Sequence, residues 1–234
     1  MMTKAVVRVR EDVLPPGAAA VAEALARWPG IARFYLTGGT ALALHLGHRR
    51  SRDLDFFTRV PVDALPEIAG EREVLGRFPG AEVLLRAREQ VVWRLGGVAV
   101  TLLAYPFPHR FAFHDWRGLA VADPREVALQ KAYVLGRRAQ ARDYVDLHAV
   151  LTAGLLDLDA LVRLAAETYG EAFSARLFLQ QLTYTRDLPD REDALGLLVV
   201  PRPFAAIERE LEELVRAWAR RRFSEPPSAG GAAP

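Results

Sequence analysis

Short apolar runs and alternating stretches in the first half of the chain predict a sheet with one glycine-rich turn. Residues 31–36 form a compact apolar segment that suits a buried strand, whereas the apolar residues 41–46 favour a helix. A Thr-Gly-Gly-Thr turn at residues 37–40 joins them. Residues 53–57 alternate and then become apolar, which predicts another strand. The remaining predicted strands are 4–10, 81–86, 90–95 and 98–104, and the remaining predicted helices are 17–28 and a segment ending near residue 80.

The second half of the chain has a different pattern. From Asp123 onward the hydrophobic positions recur at helical spacing, and Pro124 suits the first turn of a helix. This pattern continues to Arg222. Its weak breaks fall at Gly136, Gly154, Gly170 and Pro189.

Together the two patterns predict an α+β fold, with a mixed or antiparallel sheet, flanking helices and a helical C-terminal half. We expect a sheet domain at residues 1–122 and a helical domain that completes the cleft at residues 123–223. Residues 224–234 are rich in proline, glycine, alanine and serine, which predicts a disordered tail.

Composition narrows the chemistry that is available to the chain. Its 234 residues include no cysteine, which excludes disulfides, thiolate metal sites and thiol nucleophiles. No apolar run is long enough for a membrane span and the start lacks a signal-peptide layout, so we expect a cytoplasmic protein without membrane contact. Lys4 and Lys131 are the only lysines in an arginine-rich chain. A compact ammonium at Lys131 suits a phosphate contact, and chance retention explains it equally well.

Asp53 and Asp55 are the first candidate chemical group. Two residues apart in a strand, they project from the same face with about 7 Å between their α-carbons. Two like charges so placed repel each other unless a cation lies between them. Mg²⁺, or Mn²⁺ in its place, takes carboxylate and phosphate oxygens and is the ion that we expect here. The alternative is a pair of surface acids on an edge strand.

The glycine turn is the second candidate group. Gly38, Gly39 and Thr40 lie where a strand meets a helix, so free backbone N–H groups and the helix dipole favour an anion. Glycine also allows a phosphate to approach the backbone closely. With Asp53 and Asp55 just beyond it, the turn predicts a site for a nucleoside triphosphate (NTP) and its magnesium. The other interpretation is a tight turn with Thr40 near the helix cap.

Residues 36–57, which read LTGGTALALHLGHRRSRDLDFF, carry a resemblance to a known family. The stretch resembles the AbiEii/AbiGii nucleotidyltransferase toxins, a branch of the polymerase-β-like nucleotidyltransferase superfamily. Members have a Leu-x-Gly-Gly-x-x-Leu motif, then Arg-x-Ser-x-Asp-hydrophobic-Asp-hydrophobic, a lysine that opens the helical half, and a Lys/Arg-Asp-x-x-Asp segment. The matching positions are Gly38, Gly39, Leu42, Arg49 or Arg50, Ser51, Asp53, Asp55, Lys131 and the segment from Arg142 to Asp146.

The resemblance implies metal-dependent transfer of a nucleotidyl group from an NTP to an acceptor, which in some related toxins is the 3′ end of tRNA. It implies that Ser51 and Lys131 contact phosphates, with Lys131 balancing charge on the leaving pyrophosphate, and it adds Arg50 to the nucleotide-binding residues. It also implies the toxin of a toxin–antitoxin or phage-abortive system, with a cognate antitoxin protein as a partner.

Asp143 and Asp146 lie three residues apart on a predicted helix and therefore share a face. One of them could act as general base toward the acceptor hydroxyl, or they could pair with arginines that fix the site. We count both as candidate catalytic residues, together with Asp53, Asp55 and Lys131.

One position departs from the family pattern. Members usually place a third carboxylate on a later strand, where this chain has Thr101. A threonine cannot replace a carboxylate as metal ligand or base. A second hypothesis is therefore a degenerate, non-catalytic protein of this fold that binds RNA or a partner protein. A third is a nucleotidyltransferase that modifies a small molecule, because the sequence does not reveal the acceptor pocket.

The other charged and aromatic residues favour structural roles. The five histidines lack metal-ligand spacing, so surface or capping roles are expected, with the best case for more at His48 beside the basic segment. Arginine clusters at 49–52, 137–138 and 220–222 could track phosphates, although solvated faces explain each cluster separately. Two tryptophans, Trp93 and Trp116, are expected in the core or at its margin.

Overall fold

A computed structural model describes residues 9–138 and 140–223 of the chain. The predicted strand over residues 4–10 lies almost wholly outside the described residues, and residues 9 and 10 are not in a strand. The predicted disordered tail at 224–234 also lies outside them. Within the described part, no helix is long and apolar enough to cross a membrane.

Seven strands form one mixed sheet in the order β3-β4-β5-β2-β1-β7-β6. The strands are β1 (Phe34–Thr37), β2 (Asp53–Thr58), β3 (Glu82–Arg86), β4 (Gln90–Leu95), β5 (Val98–Leu103), β6 (His114–Trp116) and β7 (Leu119–Val121). β2 runs antiparallel to β1 and parallel to β5, whereas β3, β4 and β5 are joined antiparallel. The predicted α+β fold with a mixed sheet is confirmed.

Most of the helical residues lie after residue 122. The α-helices of the described residues are α1 (Ala18–Ala26), α2 (Gly38–Leu46), α3 (Glu71–Gly76), α4 (Pro124–Val134), α5 (Ala141–Thr152), α6 (Leu158–Tyr169), α7 (Ala175–Leu182), α8 (Arg191–Gly196) and α9 (Phe204–Phe223). The predicted breaks at Gly136, Gly154 and Gly170 fall between helices. Their backbone φ angles are 83°, 66° and 53°, values that residues other than glycine rarely adopt.

Buried side chains from both halves of the chain form one continuous cluster, from Ala18 on α1 to Leu211 on α9. Trp93 and Trp116 are 0% and 4% exposed, so their predicted core packing is confirmed. The Trp93 ring meets Trp28 edge to face with 5.9 Å between the ring centroids. The two halves therefore share a core, and the domain boundary at residue 122 stays a prediction.

Two parts of the fold differ from the pattern-based expectation. β6 and β7 have three residues each, too few for an alternating pattern to predict them, yet β7 extends the sheet beside β1. The strand expected from residue 31 begins only at Phe34, because a 3₁₀ helix occupies Pro29–Arg33. Pro29 favours that helix, since its ring fixes φ near the helical value.

Candidate active site

β2 carries its two acidic side chains on one side. Along Asp53–Thr58 the residues alternate between half-buried and buried. Leu54 and Phe56 are 0% exposed in the core, whereas Asp53 and Asp55 are half-buried on the other side. Period-two alternation in a strand therefore directs both carboxylates to the same face.

Asp55 lies where the glycine turn begins. It pairs in register with Thr37 of β1 and with Thr101 of β5, and α2 starts at the residue after Thr37. Gly38 has a φ of +65°, and a Cβ atom there would lie 3.0 Å from Oδ2 of Asp55. Position 38 thus requires glycine for two reasons: its backbone conformation is left-handed, and the Asp55 carboxylate leaves little room for a side chain.

The second glycine makes room for an arginine. A Cβ atom on Gly39 would lie 1.9 Å from Nη2 of Arg49, so the guanidinium fills the space beside this residue. Arg49 is only 3% exposed and forms a two-point pair with Asp146, with Nε 2.6 Å from Oδ1 and Nη2 2.9 Å from Oδ2. Arg49 therefore occupies the side of Gly39 on which a Cβ atom would stand. The predicted phosphate contact at the Gly39 backbone stays a prediction.

Two hydroxyl groups brace the turn against β2. Thr40 and Ser51 are both buried, and their hydroxyls hydrogen bond to each other. The Thr40 hydroxyl also donates to the backbone carbonyl oxygen of Asp53. The predicted contact of these two residues with a nucleotide stays a prediction.

Lys131 on α4 holds the two aspartates of α5. Its Nζ lies 2.6 Å from Oδ1 of Asp143 and 3.0 Å from Oδ2 of Asp146. Lys131 is 7% exposed, and burial works against its charge, but the two carboxylates outweigh that cost and raise the pKa of Lys131 above its ordinary value. The ammonium is therefore a fixed positive charge.

Asp146 interacts with three side chains that carry N–H groups. Besides Arg49 and Lys131, the Nε2 atom of His48 lies 2.8 Å from its Oδ1. Although burial raises the pKa of Asp146, the charges of Arg49 and Lys131 hold it well below the ordinary value. Such a carboxylate is a poor proton acceptor, and the structure has the arginine pair that was one of the two alternatives for this residue.

Asp143 is held in the same way. Nε and Nη2 of Arg138 lie 2.8 and 2.9 Å from its two oxygens, and Lys131 binds Oδ1. Burial raises the pKa of Asp143, but Lys131 and Arg138 lower it further, so the net direction is downward. Asp143 and Asp146 thus anchor cations, and a direct catalytic role for either stays a prediction.

A cavity of about 380 Å³ opens between the sheet and α4. One group of lining residues is charged or belongs to the glycine turn: Gly38 adjoins Asp55, Thr101 is in register with Asp55, and Lys131 and Arg138 bind the same carboxylate, that of Asp143. The other group is mainly aromatic: Phe57, Tyr105, Phe107 and Tyr133 contact one another in that order, and Gln90 is in register with Leu103 as Phe57 is. We call these groups the charged end and the aromatic end of the cavity. The first end is charged and the second is aromatic, so the cavity suits a ligand with an anionic part and a flat apolar part.

Asp55 is the carboxylate in this cavity whose negative charge is disfavoured by its surroundings. Burial, and then the negative charge of Asp53, raise the pKa of Asp55 to about 6. A hydrogen bond from the Thr101 hydroxyl and the charges of Lys131 and Arg138 act in the opposite direction without offsetting the rise. Among residues 9–138 and 140–223, no cationic side chain forms an ion pair with Asp55 as Lys131 does with Asp143 and Asp146. A divalent ion would relieve such an environment.

The donor set at this end fits a hard cation, with one limit. Within residues 9–138 and 140–223, no three histidine or acidic side chains converge to hold a metal ion. Asp55 lines the cavity, whereas Asp53 lies on the same face of β2 but is not one of the lining residues. Thr101, in register with Asp55, adds a hydroxyl and no carboxylate. Mg²⁺ accepts one or two carboxylates when waters and substrate phosphates complete its shell, so the two residues fit one such ion.

Four residues of the site do not stand out in the sequence patterns. Arg138 belonged to a cluster that surface exposure explains equally well, yet it lines the cavity. Gln130 accepts a 2.5 Å hydrogen bond from the Thr37 hydroxyl and so ties α4 to the glycine turn. Phe107 and Tyr133 contact each other edge to face in the aromatic end. Phe107 follows β5 and Tyr133 lies on α4, and no pattern in the sequence distinguishes either from the other aromatic residues.

The remaining basic residues have varied surroundings. Arg50 is exposed, and its backbone N–H donates to the carbonyl oxygen of Leu197. Its predicted nucleotide contact stays a prediction. Arg52 pairs with Asp193 at the surface, as expected for a solvated face. His148 is 6% exposed, and its Nε2 atom lies 2.6 Å from Oε2 of Glu210. The surface role expected for His148 is therefore wrong.

Known proteins with similar sequences and folds place this site in context. The family model described as "Nucleotidyl transferase AbiEii toxin, Type IV TA system" matches residues 21–105, which include the glycine turn and both aspartates of β2. The uncharacterised protein aq_aa25 of Aquifex aeolicus (strain VF5) is 28% identical over 158 residues, or 66% of this chain and 74% of that protein.

Two solved structures from Helicobacter pylori share the fold. One, a proposed nucleotidyltransferase, has a TM-score of 0.54 at 18% identity and covers 89% of this chain and 95% of its own. The other, JHP933, has a TM-score of 0.51 at 16% identity with the same coverage. The resemblance to the AbiEii nucleotidyltransferase toxin family, carried by the glycine turn and the paired aspartates, is thus confirmed over residues 21–105.

Proposed function

We propose that this protein transfers a nucleotidyl group from an NTP to an acceptor, with the triphosphate bound in the cavity between the sheet and α4. The observation that carries the proposal is the charge distribution in that cavity. Asp55 is strained by burial and by Asp53, while Lys131 and Arg138 stand as fixed cations at the same end. Carboxylates that need a cation and cations that can meet phosphates are together what an NTP–Mg²⁺ complex requires.

The fixed groups would orient the triphosphate. Asp143 and Asp146 account for two of the three N–H groups of Lys131, so the third can donate to a phosphate oxygen. Arg138 binds Asp143 through Nε and Nη2, which leaves its Nη1 group for a second phosphate contact. The backbone N–H groups of Gly38 and Gly39 open α2 and add the positive end of its dipole.

Asp53 and Asp55 would hold the Mg²⁺ or Mn²⁺ ion. When bound, the ion would neutralise charge on the triphosphate and polarise its phosphoryl oxygens, which makes the phosphorus more susceptible to attack. With Thr101 in place of a third carboxylate, we propose a single tightly held ion. Asp143 and Asp146 then serve as positioning residues, because their oxygens are already committed to Lys131, Arg138 and Arg49.

The aromatic end would accept the base. Phe107 and Tyr133 line it, and flat aromatic surfaces stack on any nucleobase at a gain of about 1–3 kcal/mol per base. The side-chain amide of Gln90 lies at the same end and could hydrogen bond to a base edge. We infer from the family that the acceptor is RNA, with the 3′ end of tRNA as first candidate, and that the protein acts in the cytoplasm as a toxin with a cognate antitoxin.

A labelling assay tests the proposal. The purified chain is incubated with bulk tRNA, Mg²⁺ or Mn²⁺, and each of the four α-labelled NTPs in turn. We expect label in the RNA from at least one NTP, and loss of incorporation in Asp55→Asn. The matched control is Asp159→Asn, an exposed aspartate on α6 outside the cavity, which should keep full activity. Absence of both incorporation and metal-dependent NTP binding by calorimetry would contradict the proposal.

One observation favours a second candidate, a non-catalytic protein of this fold that binds RNA or a partner protein. Thr101 stands in register with Asp55, where the family usually supplies its third carboxylate. In that case the same assay gives salt-sensitive RNA binding without incorporation, and Asp55→Asn leaves the binding unchanged. Incorporation by the wild type that depends on Asp55 excludes this candidate.

A further inference from the structure

The two edges of the sheet are built differently. One edge is β6, which has three residues and ends in the buried Trp116. The other is β3, five residues long and exposed at every position. In the part of the chain that the structure describes, no strand lies beyond β3. Its outer backbone N–H and C=O groups are therefore a template for a further strand.

β3 is also apolar where edge strands are usually protected. Val83, Leu84 and Leu85 are 43%, 43% and 44% exposed, three consecutive large hydrophobic residues. Neither proline nor lysine interrupts the strand, although both commonly discourage pairing at an edge. The register with β4 shifts between Val83 and Leu85, so Leu84 has no partner on β4, and this bulge is the one edge-protecting irregularity within the strand. We call the three consecutive exposed side chains the β3 ridge.

We propose that the β3 ridge is a self-association surface, on which a second copy of this chain pairs its own β3 in antiparallel orientation. The reason for a second copy is the order of residues, Glu-Val-Leu-Leu-Arg. An antiparallel pair centred on Leu84 places Glu82 of each copy opposite Arg86 of the other, and Val83 opposite Leu85. Such an interface is symmetric, as isologous dimers require, and opposite charges across strands stabilise the pairing.

The internal ion pairs of β3 do not prevent this pairing. Glu82 lies 3.1 Å from Arg94, and both side chains are more than half exposed, so water screens that pair strongly. Arg86 binds Glu71 through Nη2 and is itself half exposed. A guanidinium has five N–H donors, so Arg86 retains donors for a second carboxylate. A five-residue strand buries little area, so we expect a weak, reversible dimer.

Sedimentation equilibrium of the full chain over a concentration series tests the proposal. We expect a reversible monomer–dimer equilibrium for the wild type. Leu84→Glu should raise the dimer dissociation constant by at least about tenfold, because it places like charges at the centre of the pair. The matched control is Leu155→Glu, a leucine of similar exposure, 40%, in the loop before α6, which should leave the constant unchanged. Circular dichroism verifies that each variant is folded.

The charged ends give a second, independent test. Glu82→Arg alone and Arg86→Glu alone should each weaken the dimer, because each brings like charges together across the interface. The double variant should restore it, although it breaks the pairs with Arg94 and Glu71 within each copy. A chain that stays monomeric at every concentration, or a dimer that Leu84→Glu leaves intact, overturns the proposal. A monomer that binds a different protein through β3 likewise counts against self-pairing.

Discussion

The protein has two pairs of aspartates near the cavity, one on α5 and one on β2, and their surroundings are opposite. Asp143 and Asp146 on α5 are 0% exposed, each bound by two or more cationic side chains, and their pKa values are lowered. Asp53 and Asp55 on β2 are half-buried and repel each other, and the pKa of Asp55 is raised to about 6. The first pair is neutralised by the protein, whereas the second is the pair that we propose binds a metal ion.

The difference separates stability from function at this site. Removing one aspartate of the neutralised pair leaves the cation that it binds buried without a counter-charge, so the free energy of unfolding should fall. Removing a repelled carboxylate should relieve the fold and damage only the chemistry. The expected signs of the stability change are therefore opposite for Asp146 and Asp55, although both carboxylates interact with Lys131.

The largest expected effect is on activity, in Asp55→Asn. Loss of a metal-binding carboxylate should lower the transfer rate by about a thousandfold, since a bound ion supplies several kcal/mol of transition-state stabilisation. The same change should stabilise the metal-free protein by about 1 kcal/mol at pH 7, because the charged form of Asp55 is disfavoured in the fold. Rate measurements with labelled NTP and thermal unfolding check the two halves. A variant that loses stability would place Asp55 with the neutralised pair.

The next largest effect should be on stability, in Asp146→Asn. Arg49 and Lys131 would lose the charge that compensates them, at a cost of about 3–5 kcal/mol in the free energy of unfolding. Urea denaturation measures it. Asp193→Asn, which removes a surface pair with Arg52, is the control and should cost far less, because water screens that pair. Equal losses in the two variants would mean that burial does not distinguish the pairs.

A smaller cost is expected from Gly39→Ala. The added methyl group would meet Nη2 of Arg49, so the guanidinium must shift from Asp146 and the protein should lose about 1–3 kcal/mol. Gly76→Ala is the control, because nothing lies within 4 Å of a Cβ atom at the end of α3. If Gly39→Ala destabilises no more than Gly76→Ala but weakens NTP binding, the glycine serves the ligand and the guanidinium has room to move.

Local patterns predict one of the two pairs and miss the surroundings of the other. Asp53 and Asp55 could be identified because strand alternation and the preceding glycine turn are short-range features. The partner of Asp146 could not, because Arg49 lies 97 residues away and meets it only when α5 packs beside α2. Gly39 shows the same limit. Its sequence context indicates a phosphate turn, whereas its nearest neighbour in space is a side chain ten residues further on.

The prediction of strands also succeeds where the signal is local and fails where it depends on distant residues. β2, β4 and β5 have six residues each, enough for alternation to show, whereas β6 and β7 have three residues and depend on pairing with the rest of the sheet. Arg138 illustrates the point for the site. Asp143 is only five residues from Arg138, yet the sequence does not show which of two adjacent arginines meets it. In the structure Arg138 binds Asp143, whereas Arg137 donates to the carbonyl oxygens of Tyr133 and Ala172.

The smallest expected effect is the pH dependence of stability that arises from His148, a buried group whose charged form is a cation. Burial lowers the pKa of His148 below its ordinary 6.5, although the hydrogen bond with Glu210 raises it. Because the folded pKa lies below the unfolded one, the stability from neutral His148 is complete above pH 6.5. It is lost as the pH falls from 6.5 through the folded pKa. Thermal unfolding across that window should show a loss of less than about 1 kcal/mol that His148→Gln removes and His109→Gln, at an exposed position, retains. A slope that His148→Gln leaves unchanged would mean that Glu210 offsets burial as fully as Arg49 and Lys131 do for Asp146.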